Sequence, residues 1–546
     1  MRHLIYLPLF ITFLNWVSNT QTQKVDLIIH NSKIYTIDEK FSIVEAMAID
    51  HGRIIEVGSS SVILEKYSSE NIIDAKGKFI YPGLIDAHAH FYYYGKSLQE
   101  VNLVGTKSWD ECIEKVNSFP RQPDAVWTIG RGWDQNDWTN KEFPNNARLN
   151  QLFPNRPVLL SRIDGHAAIA NEVALKLAGI FPNQQIEGGQ ILMDDKGHLT
   201  GLLIDNAVDL VMQRVPPPTE AQQIIALQKA EQNCFAVGLT SVVDCGLDYP
   251  LVELIDRLQK DNQLKIRLDI MLSDSLMNYE YLFKKGVIKT DRLRVGSFKI
   301  YSDGALGSRG ACLKSDYHDK EGWRGFLLKD RKHFEEVAHK LADSDFQMCT
   351  HAIGDSSNHV ILSVYGEVLG KNNDRRWRIE HAQVVDEVDF DYFKKYSIVP
   401  SVQPTHATSD MYWAEDRLGK DRIQHAYSYL KLQKQLGWLP LGTDFPVEDI
   451  SPFYTFYAAV ARRDASGFPA DGFQLENALS RQDALRGMTI WAAKGSFEEH
   501  EKGSLEIGKF ADFIILDTDL MHDELLKCRT PKVLATYLQG ERVFSK

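Results

Sequence analysis

Two histidines separated by one residue, His88 and His90, close a predicted β-strand in the segment that starts with Pro82-Gly83. Alternate residues of a strand point to the same side, so both imidazoles can reach one ion. Imidazole is a good ligand for zinc and related divalent ions. A His-x-His pair alone also occurs on ordinary surfaces, but its position at a strand end favours a metal site.

Three further residues of ligand type follow predicted strands: His351, His381 and Asp444. His351 and His381 end consecutive strands, and Asp444 follows the last one. In a closed barrel the last strand neighbours the first, so Asp444 is expected beside His88. Each residue alone could be a rim or core polar group, but ligand types at successive strand ends together predict a metal centre.

Lys299 lies in another predicted strand, within Phe-Lys-Ile-Tyr-Ser-Asp. One interpretation is that its amine pairs with Asp303 or another carboxylate. The other is that burial and a nearby metal keep the amine neutral, so that it takes up carbon dioxide as a carbamate. A carbamate bridges two ions much as a carboxylate does. We predict the second.

Strands and helices alternate through the middle of the chain, which is typical of βα units around a parallel sheet. Amphipathic helices are predicted between most strands, for example at 219–236, 332–342 and 385–396. Eight strands in this order predict an α/β fold, a (β/α)8 TIM-type barrel. The predicted strands are 79–87, 239–244, 265–272, 294–302, 347–351, 377–381, 398–403 and 438–443.

The two chain ends are different, because both read as short β-strands punctuated by turn residues. We therefore predict one small composite β-sandwich domain built from residues 24–81 and 496–546, around a barrel at 82–495.

An unusually long segment separates the first two barrel strands: about 150 residues, where a βαβ unit needs roughly 30. We predict an insertion at about 92–214. Because it follows the carboxyl end of a strand, it is expected over the barrel mouth, where it shapes substrate choice. Trp133 is a candidate substrate contact there, although aromatic loop residues often simply pack.

Residues 1–20 combine a basic start, a short apolar run and a polar exit. This pattern predicts a secretory signal peptide rather than a membrane span, and hence a periplasmic or extracellular protein. An uncleaved anchor is the alternative.

The net charge of -12 disfavours nucleic acid as a partner. The six cysteines show no spacing typical of a metal site.

Taken together, these motifs resemble the amidohydrolase superfamily, and specifically its family 3 branch, which includes enzymes similar to N-substituted formamide deformylases. The likeness covers nearly the whole chain after the signal, from the His88 motif to the closing segment Gly503–Asp512. It implies a metal-dependent hydrolase that cleaves a carbon–nitrogen bond of a small non-peptide amide with a metal-activated hydroxide.

The resemblance also implies roles for single residues. His88, His90 and Asp444 would hold one divalent ion, most simply zinc, and His351 and His381 a second. Carboxylated Lys299 would bridge the two, and Asp444 would also transfer protons. The segment Ser-Arg-Ile-Asp-Gly-His166 resembles a motif of this branch, which makes His166 a candidate substrate contact; a structural hydrogen-bond role is the alternative.

Two other functions stay open at this point. One is a deaminase of the same superfamily that uses a single ion and an unmodified Lys299. The other is a barrel without catalytic activity that serves as a binding protein, which the complete set of ligand types disfavours. A homo-oligomeric state is also left open.

Overall fold

The computed structural model describes residues 22–120 and 126–546. The predicted signal peptide, residues 1–20, lies outside the described residues. Within the described ranges, no helix combines the length and apolarity needed to cross a membrane.

Seven parallel strands form the central sheet, and each one pairs with the next in chain order. A two-residue strand, Ile288–Lys289, pairs antiparallel with the fourth of them. The seven strands are Leu84–Ala89 (β1), Leu239–Leu247 (β2), Arg267–Ser273 (β3), Leu293–Tyr301 (β4), Gln347–Ala352 (β5), Arg378–His381 (β6) and Val399–Ser401 (β7). The predicted barrel fold is confirmed.

The eighth predicted strand, 438–443, closes the barrel without forming a regular strand. It contributes one parallel bridge, between Val402 and Leu441. On its other side the Leu441 carbonyl accepts a hydrogen bond from the Ala87 amide at 3.1 Å. Pro440 has no amide hydrogen to donate, which limits the ladder here. The two edges of the sheet therefore meet through a few backbone hydrogen bonds.

Gly442 allows this closure. A β-carbon at this position would lie 2.5 Å from the His88 nitrogen and 2.7 Å from the His88 oxygen, distances that real side chains do not reach. Only glycine lets the closing segment approach β1 so closely. The sequence of the closing segment thus fixes the position of Asp444 relative to His88.

We expect Gly442→Ala to lower the free energy of unfolding by about 1–3 kcal/mol, because the added methyl group forces β1 and the closing segment apart. Differential scanning calorimetry measures the effect. Gly58→Ala is the matched control, since a β-carbon at Gly58 meets no atom within 4 Å. Equal melting temperatures for both variants would contradict this role of Gly442.

Helices surround the sheet. Thr219 begins the helix after the insertion with a capping box, in which Gln222 reaches back to the Thr219 amide. The predicted helix 385–396 is shorter in the structure, a 3₁₀ turn at Glu387–Asp389 followed by Phe390–Lys395. The helices around the barrel are Glu220–Ala236, Tyr249–Lys260, Leu276–Lys285, Arg331–Ala342, Asp355–Leu369, Phe390–Lys395, Pro404–Asp410, Ala414–Arg422, Tyr429–Leu436, Pro452–Ala461, Arg481–Gly487 and Ile490–Gly495.

Two sheets from the chain ends pack around a shared apolar core that includes Leu27, Ile49 and Phe513. The predicted first barrel strand, 79–87, is two strands here: Phe79–Pro82 belongs to one terminal sheet, and β1 begins after Gly83. One sheet contains Arg53–Gly58, Ala46–Asp50, Leu27–His30 and Ile72–Asp74; the other contains Glu541–Ser545, Val533–Leu538, Phe513–Leu516, Phe79–Pro82, Lys33–Tyr35 and Ile43–Val44.

The insertion after β1 is a small α/β unit with its own six-stranded mixed sheet and an apolar core on each face. It lies against the loops at the barrel mouth: the Arg131 guanidinium donates to the Pro446 carbonyl at 2.6 Å, just beyond Asp444. Its strands are Val101–Asn102, Thr128–Trp133, Val158–Arg162, Ala167–Ala170, Leu199–Asp205 and Gly189–Met193, and its helices Trp109–Ser118, Ala147–Leu152, Glu172–Leu177 and Asn206–Met212.

Candidate metal centre

His88 is fully buried near the end of β1, and its ring is held from behind. Its Nδ1 donates to a Glu380 carboxylate oxygen at 2.5 Å. Burial opposes ionisation of Glu380, but Arg378 and His88 hold the pKa of that carboxyl well below its usual range. A carboxylate that fixes the proton on Nδ1 leaves the Nε2 lone pair of the imidazole directed into the site, as in many metal-binding histidines.

Asp444 lies close to both His88, in β1, and His90, just after it. One of its oxygens, Oδ1, is 3.5 Å from His88 Nε2 and 3.3 Å from His90 Nε2. The Asp444 amide donates to the His88 carbonyl at 2.8 Å, so the barrel closure places the carboxylate here. Burial alone would raise the pKa of Asp444, but contacts with His406 and His90 outweigh it and hold the pKa well below its usual range.

His381 and His351 complete the ring of imidazoles. The His381 ring lies 4.8 Å from the His88 ring and 4.6 Å from the His351 ring, between centroids. His381 Nδ1 is 2.7 Å from Gln403 Oε1, an acceptor that fixes the proton on Nδ1 and again leaves Nε2 free. His381 and Asp444 both have positive φ, 75° and 64°, a strained backbone conformation that is concentrated at functional sites.

Lys299 extends from β4 into the same cluster and is buried. Its Nζ lies 3.2 Å from His88 Nε2. In the described part of the chain, Lys299 forms no ion pair with a carboxylate. Asp303, the partner suggested by one interpretation of the sequence, instead accepts the amides of Ile353, Gly354 and Cys312 at 2.8–3.0 Å.

The donor set suits a divalent cation. Nitrogen and oxygen atoms of His88, His381 and Asp444 all lie within 4.8 Å of one another. Burial, together with the charge of Lys299, lowers the pKa of His88 to about 4, and burial also holds the pKa of His351 and His381 well below the usual range. These three imidazoles are therefore neutral near pH 7, as metal ligands must be.

Among the six predicted ligands, two buried atoms, His351 Nε2 and Asp444 Oδ1, have no hydrogen-bond partner among the described residues. Buried polar atoms are normally satisfied, so such orphaned atoms need an explanation. A bound cation would engage the lone pairs of both. The residues therefore fit the metal that the sequence predicts, and all six predicted ligands lie in one cluster.

His406 is a residue of this site that the sequence analysis missed. Its Nε2 is 3.3 Å from the second oxygen of Asp444, and its Nδ1 is 3.3 Å from Glu448. Burial opposes protonation, but the contacts with Asp444 and Glu448 raise the pKa of His406 to about 10. A sequence signal existed, because His406 follows the seventh predicted strand in Gln-Pro-Thr-His, at the same rim as the other ligands.

We expect His406→Phe to reduce kcat by roughly 10- to 100-fold with little loss of metal, because the second oxygen of Asp444 loses the group that orients it. Steady-state kinetics and metal analysis of the same preparation measure both quantities. His359→Phe is the matched control, since the His359 side chain is half exposed and pairs with Asp389 instead of a predicted ligand. An unchanged kcat in His406→Phe would exclude the orienting role.

The two predicted substrate contacts are placed differently. His166 lies at the barrel mouth, with its ring centroid 5.0 Å from that of His351. Trp133, in contrast, is fully buried in the core of the insertion, where its Nε1 donates to the Leu160 carbonyl at 2.7 Å. The structure does not bring Trp133 to the site, because the insertion uses this ring to build its own core.

Comparisons with known proteins agree with this architecture. A family model described as amidohydrolase family matches residues 71–544. The Arabidopsis thaliana protein LONG AFTER FAR-RED 3 is 33% identical over 95% of this chain and 91% of its own length. An N-substituted formamide deformylase from Arthrobacter pascens is 26% identical, covering 95% and 98%. The crystal structure of an uncharacterized metal-dependent hydrolase from Pyrococcus horikoshii superposes with a TM-score of 0.75 at 27% identity, covering 91% and 99%.

Proposed function

This chain belongs to the amidohydrolase family and is a metal-dependent hydrolase of carbon–nitrogen bonds, and from that premise we propose that its substrate is a small non-peptide amide. The observation that carries the proposal is the convergence of neutral imidazoles, the Asp444 carboxylate and buried Lys299 at the carboxyl end of the barrel. Active sites of this barrel type lie at that end.

Two divalent ions, most simply zinc, are proposed for the site. His88, His90 and Asp444 would hold one ion, and His351 and His381 the second. Imidazole nitrogen and carboxylate oxygen are ligands that zinc accepts readily. The proposal accounts for the orphaned atoms of His351 and Asp444, which would otherwise stay unsatisfied in the interior.

Lys299 is proposed to carry the bridging ligand. In this step the amine nitrogen of Lys299 adds to the carbon of carbon dioxide, a C–N bond forms as one C–O π bond opens, and the nitrogen loses one proton to water, so that a carbamate anion results. Support comes from the burial of Lys299 without an ion-paired carboxylate, since an uncompensated buried ammonium is costly. A carbamate supplies the negative charge that two cations require.

Bound divalent ions would lower the pKa of water and polarise the scissile carbonyl. Asp444, with His406 Nε2 at 3.3 Å from one of its oxygens, would accept a proton from the attacking water and pass it to the leaving nitrogen. Glu380 and Gln403 orient the rings of His88 and His381 through contacts with their Nδ1 atoms.

The test is hydrolysis of a panel of N-formyl and N-acyl amines by purified protein, with metal content measured on the same sample. We expect amine release that is abolished by a chelator and restored by zinc, with close to two ions per chain. A panel without turnover, in protein that is loaded with metal, contradicts the proposal.

A deaminase with one ion is the second candidate. The observation that favours it is the tight group of His88, His381 and Asp444, which is sufficient for a single ion. In that case Lys299 stays unmodified beside His88. One ion per chain and ammonia release from an amino-substituted heterocycle, rather than amine release from an amide, distinguish this function.

We also propose that the protein is exported to the periplasm or the extracellular space, on the pattern of residues 1–20. Cell fractionation and N-terminal sequencing of the mature protein test this. Light scattering of the purified protein measures whether it forms the homo-oligomer that the sequence leaves open.

A further inference from the structure

The insertion contributes a second histidine–carboxylate pair beside the metal centre. His166 lies in the turn between the insertion strands Val158–Arg162 and Ala167–Ala170. Its ring is 5.0 Å from His351 and 6.3 Å from Tyr301, between centroids. About a sixth of its side chain is still accessible, at 16%. A molecule in the barrel mouth can therefore touch this ring.

Asp205 holds the His166 ring from behind. His166 Nδ1 is 2.7 Å from one Asp205 carboxylate oxygen, and the Asp205 amide donates to the His166 carbonyl at 2.8 Å. The Asp205 carboxylate is fully buried, and its second oxygen has no hydrogen-bond partner among the described residues. Asp205 also adopts φ 49° and ψ −124°, a combination that is sparsely populated by residues other than glycine.

Two glycines of the loop after β4 make room for this carboxylate. A β-carbon on either Gly304 or Gly310 would lie 2.4 Å from Asp205 Oδ2. Only glycine at both positions lets this loop lie so close to the Asp205 carboxylate. The barrel loop and the insertion both pack against the Asp205 carboxylate, and this packing fixes the position of Asp205 relative to His351.

The turn that carries His166 is itself rigid. The Asp164 carboxylate accepts the His166 amide at 3.0 Å and the Arg162 guanidinium at 2.5 Å. Arg162 is almost completely buried and also donates to Gln135 at 2.8 Å. Such support is what a substrate-contacting group requires, because small displacements at a reacting centre cost much of the rate.

We propose that His166 is a catalytic residue that hydrogen-bonds the scissile amide group through Nε2, and that Asp205 is its positioning residue. With Nδ1 engaged by Asp205, Nε2 is the polar atom of the ring without a partner among the described residues. The inference rests on the proposed amide hydrolysis. It adds a substrate contact that comes from the insertion, whereas the predicted metal ligands come from the barrel strands and the residues that follow them. The substrate would be a small polar amide that lies between His351 and the His166 ring of the insertion.

The test compares His166→Gln with His166→Phe. Glutamine keeps a polar amide whose oxygen can accept a hydrogen bond near the position of Nε2, whereas phenylalanine keeps only the bulk. We expect His166→Phe to lose roughly 10²- to 10³-fold in kcat, the usual effect of removing one hydrogen bond to a reacting group, and His166→Gln to recover at least about tenfold of that loss. Metal content and melting temperature should match the wild type in both.

Asp205→Asn tests the positioning residue. We expect kcat to fall about 10- to 100-fold with KM nearly unchanged, as for other partners that orient a functional histidine. Asp194→Asn is the matched control, because Asp194 pairs with His198 on the exposed surface of the same insertion at 3.2 Å. That variant should keep wild-type kcat.

Three outcomes would overturn the inference: equal loss in His166→Gln and His166→Phe, a rise in KM without a fall in kcat, or a loss of activity that follows metal content. Failure of the proposed function is separate. If the protein hydrolyses no amide but releases ammonia from an amino-substituted heterocycle, the amide proposal fails. The same variants measured on that reaction then show whether His166 and Asp205 act on the substrate.

Discussion

Asp444→Asn is expected to lose roughly 10³-fold in kcat while it keeps most of its bound metal, whereas His88→Ala should lose both activity and metal. Asparagine still offers one oxygen to a cation, but it cannot accept and return a proton. His88 has no such substitute, because its Nε2 faces the centre of the cluster and its Nδ1 is committed to Glu380. Metal analysis by mass spectrometry and steady-state kinetics of the same samples measure the difference.

The control for this pair is His198→Ala, which removes an exposed imidazole and should change neither quantity. Normal turnover in Asp444→Asn would remove Asp444 from proton transfer. Equal metal loss in both variants would instead mean that Asp444 acts mainly as a ligand.

The ligand cluster could be predicted from the sequence because histidine and aspartate residues stand at the carboxyl ends of the predicted strands. His88 and Asp444 are far apart in the chain, yet barrel closure alone places the Asp444 amide 2.8 Å from the His88 carbonyl. His351 and His381 end consecutive strands, which accounts for their ring separation of 4.6 Å. Parallel strands of known order determine which side chains become neighbours, so these contacts required no knowledge of the loops.

Other features depended on contacts that no local pattern encodes. The first predicted strand continued through Gly83, although the chain leaves the terminal sheet and enters the barrel there. Trp133 was expected at the substrate, but its burial depends on the sheet inside the insertion. His166 meets Asp205 because the strand Ala167–Ala170 pairs with the strand Leu199–Asp205 in that same sheet. The register of these two strands could not be derived from composition.

Lys299→Ala is expected to reduce the bound metal from about two ions to about one and to lower kcat by several orders of magnitude. The Lys299 side chain reaches the cluster from β4 without a paired carboxylate, so its carbamate would be the anion that balances the charge of two cations. Alanine removes this anion and leaves His88, His381 and Asp444, which are sufficient for one ion. Short carboxylic acids added to the variant should restore part of the activity, because they fit the space left by the side chain and supply the same charge. Lys332→Ala, on an exposed helix face, is the control and should keep both ions. If Lys299→Ala retains two ions, Lys299 is not the bridging ligand, and its amine must act unmodified beside His88.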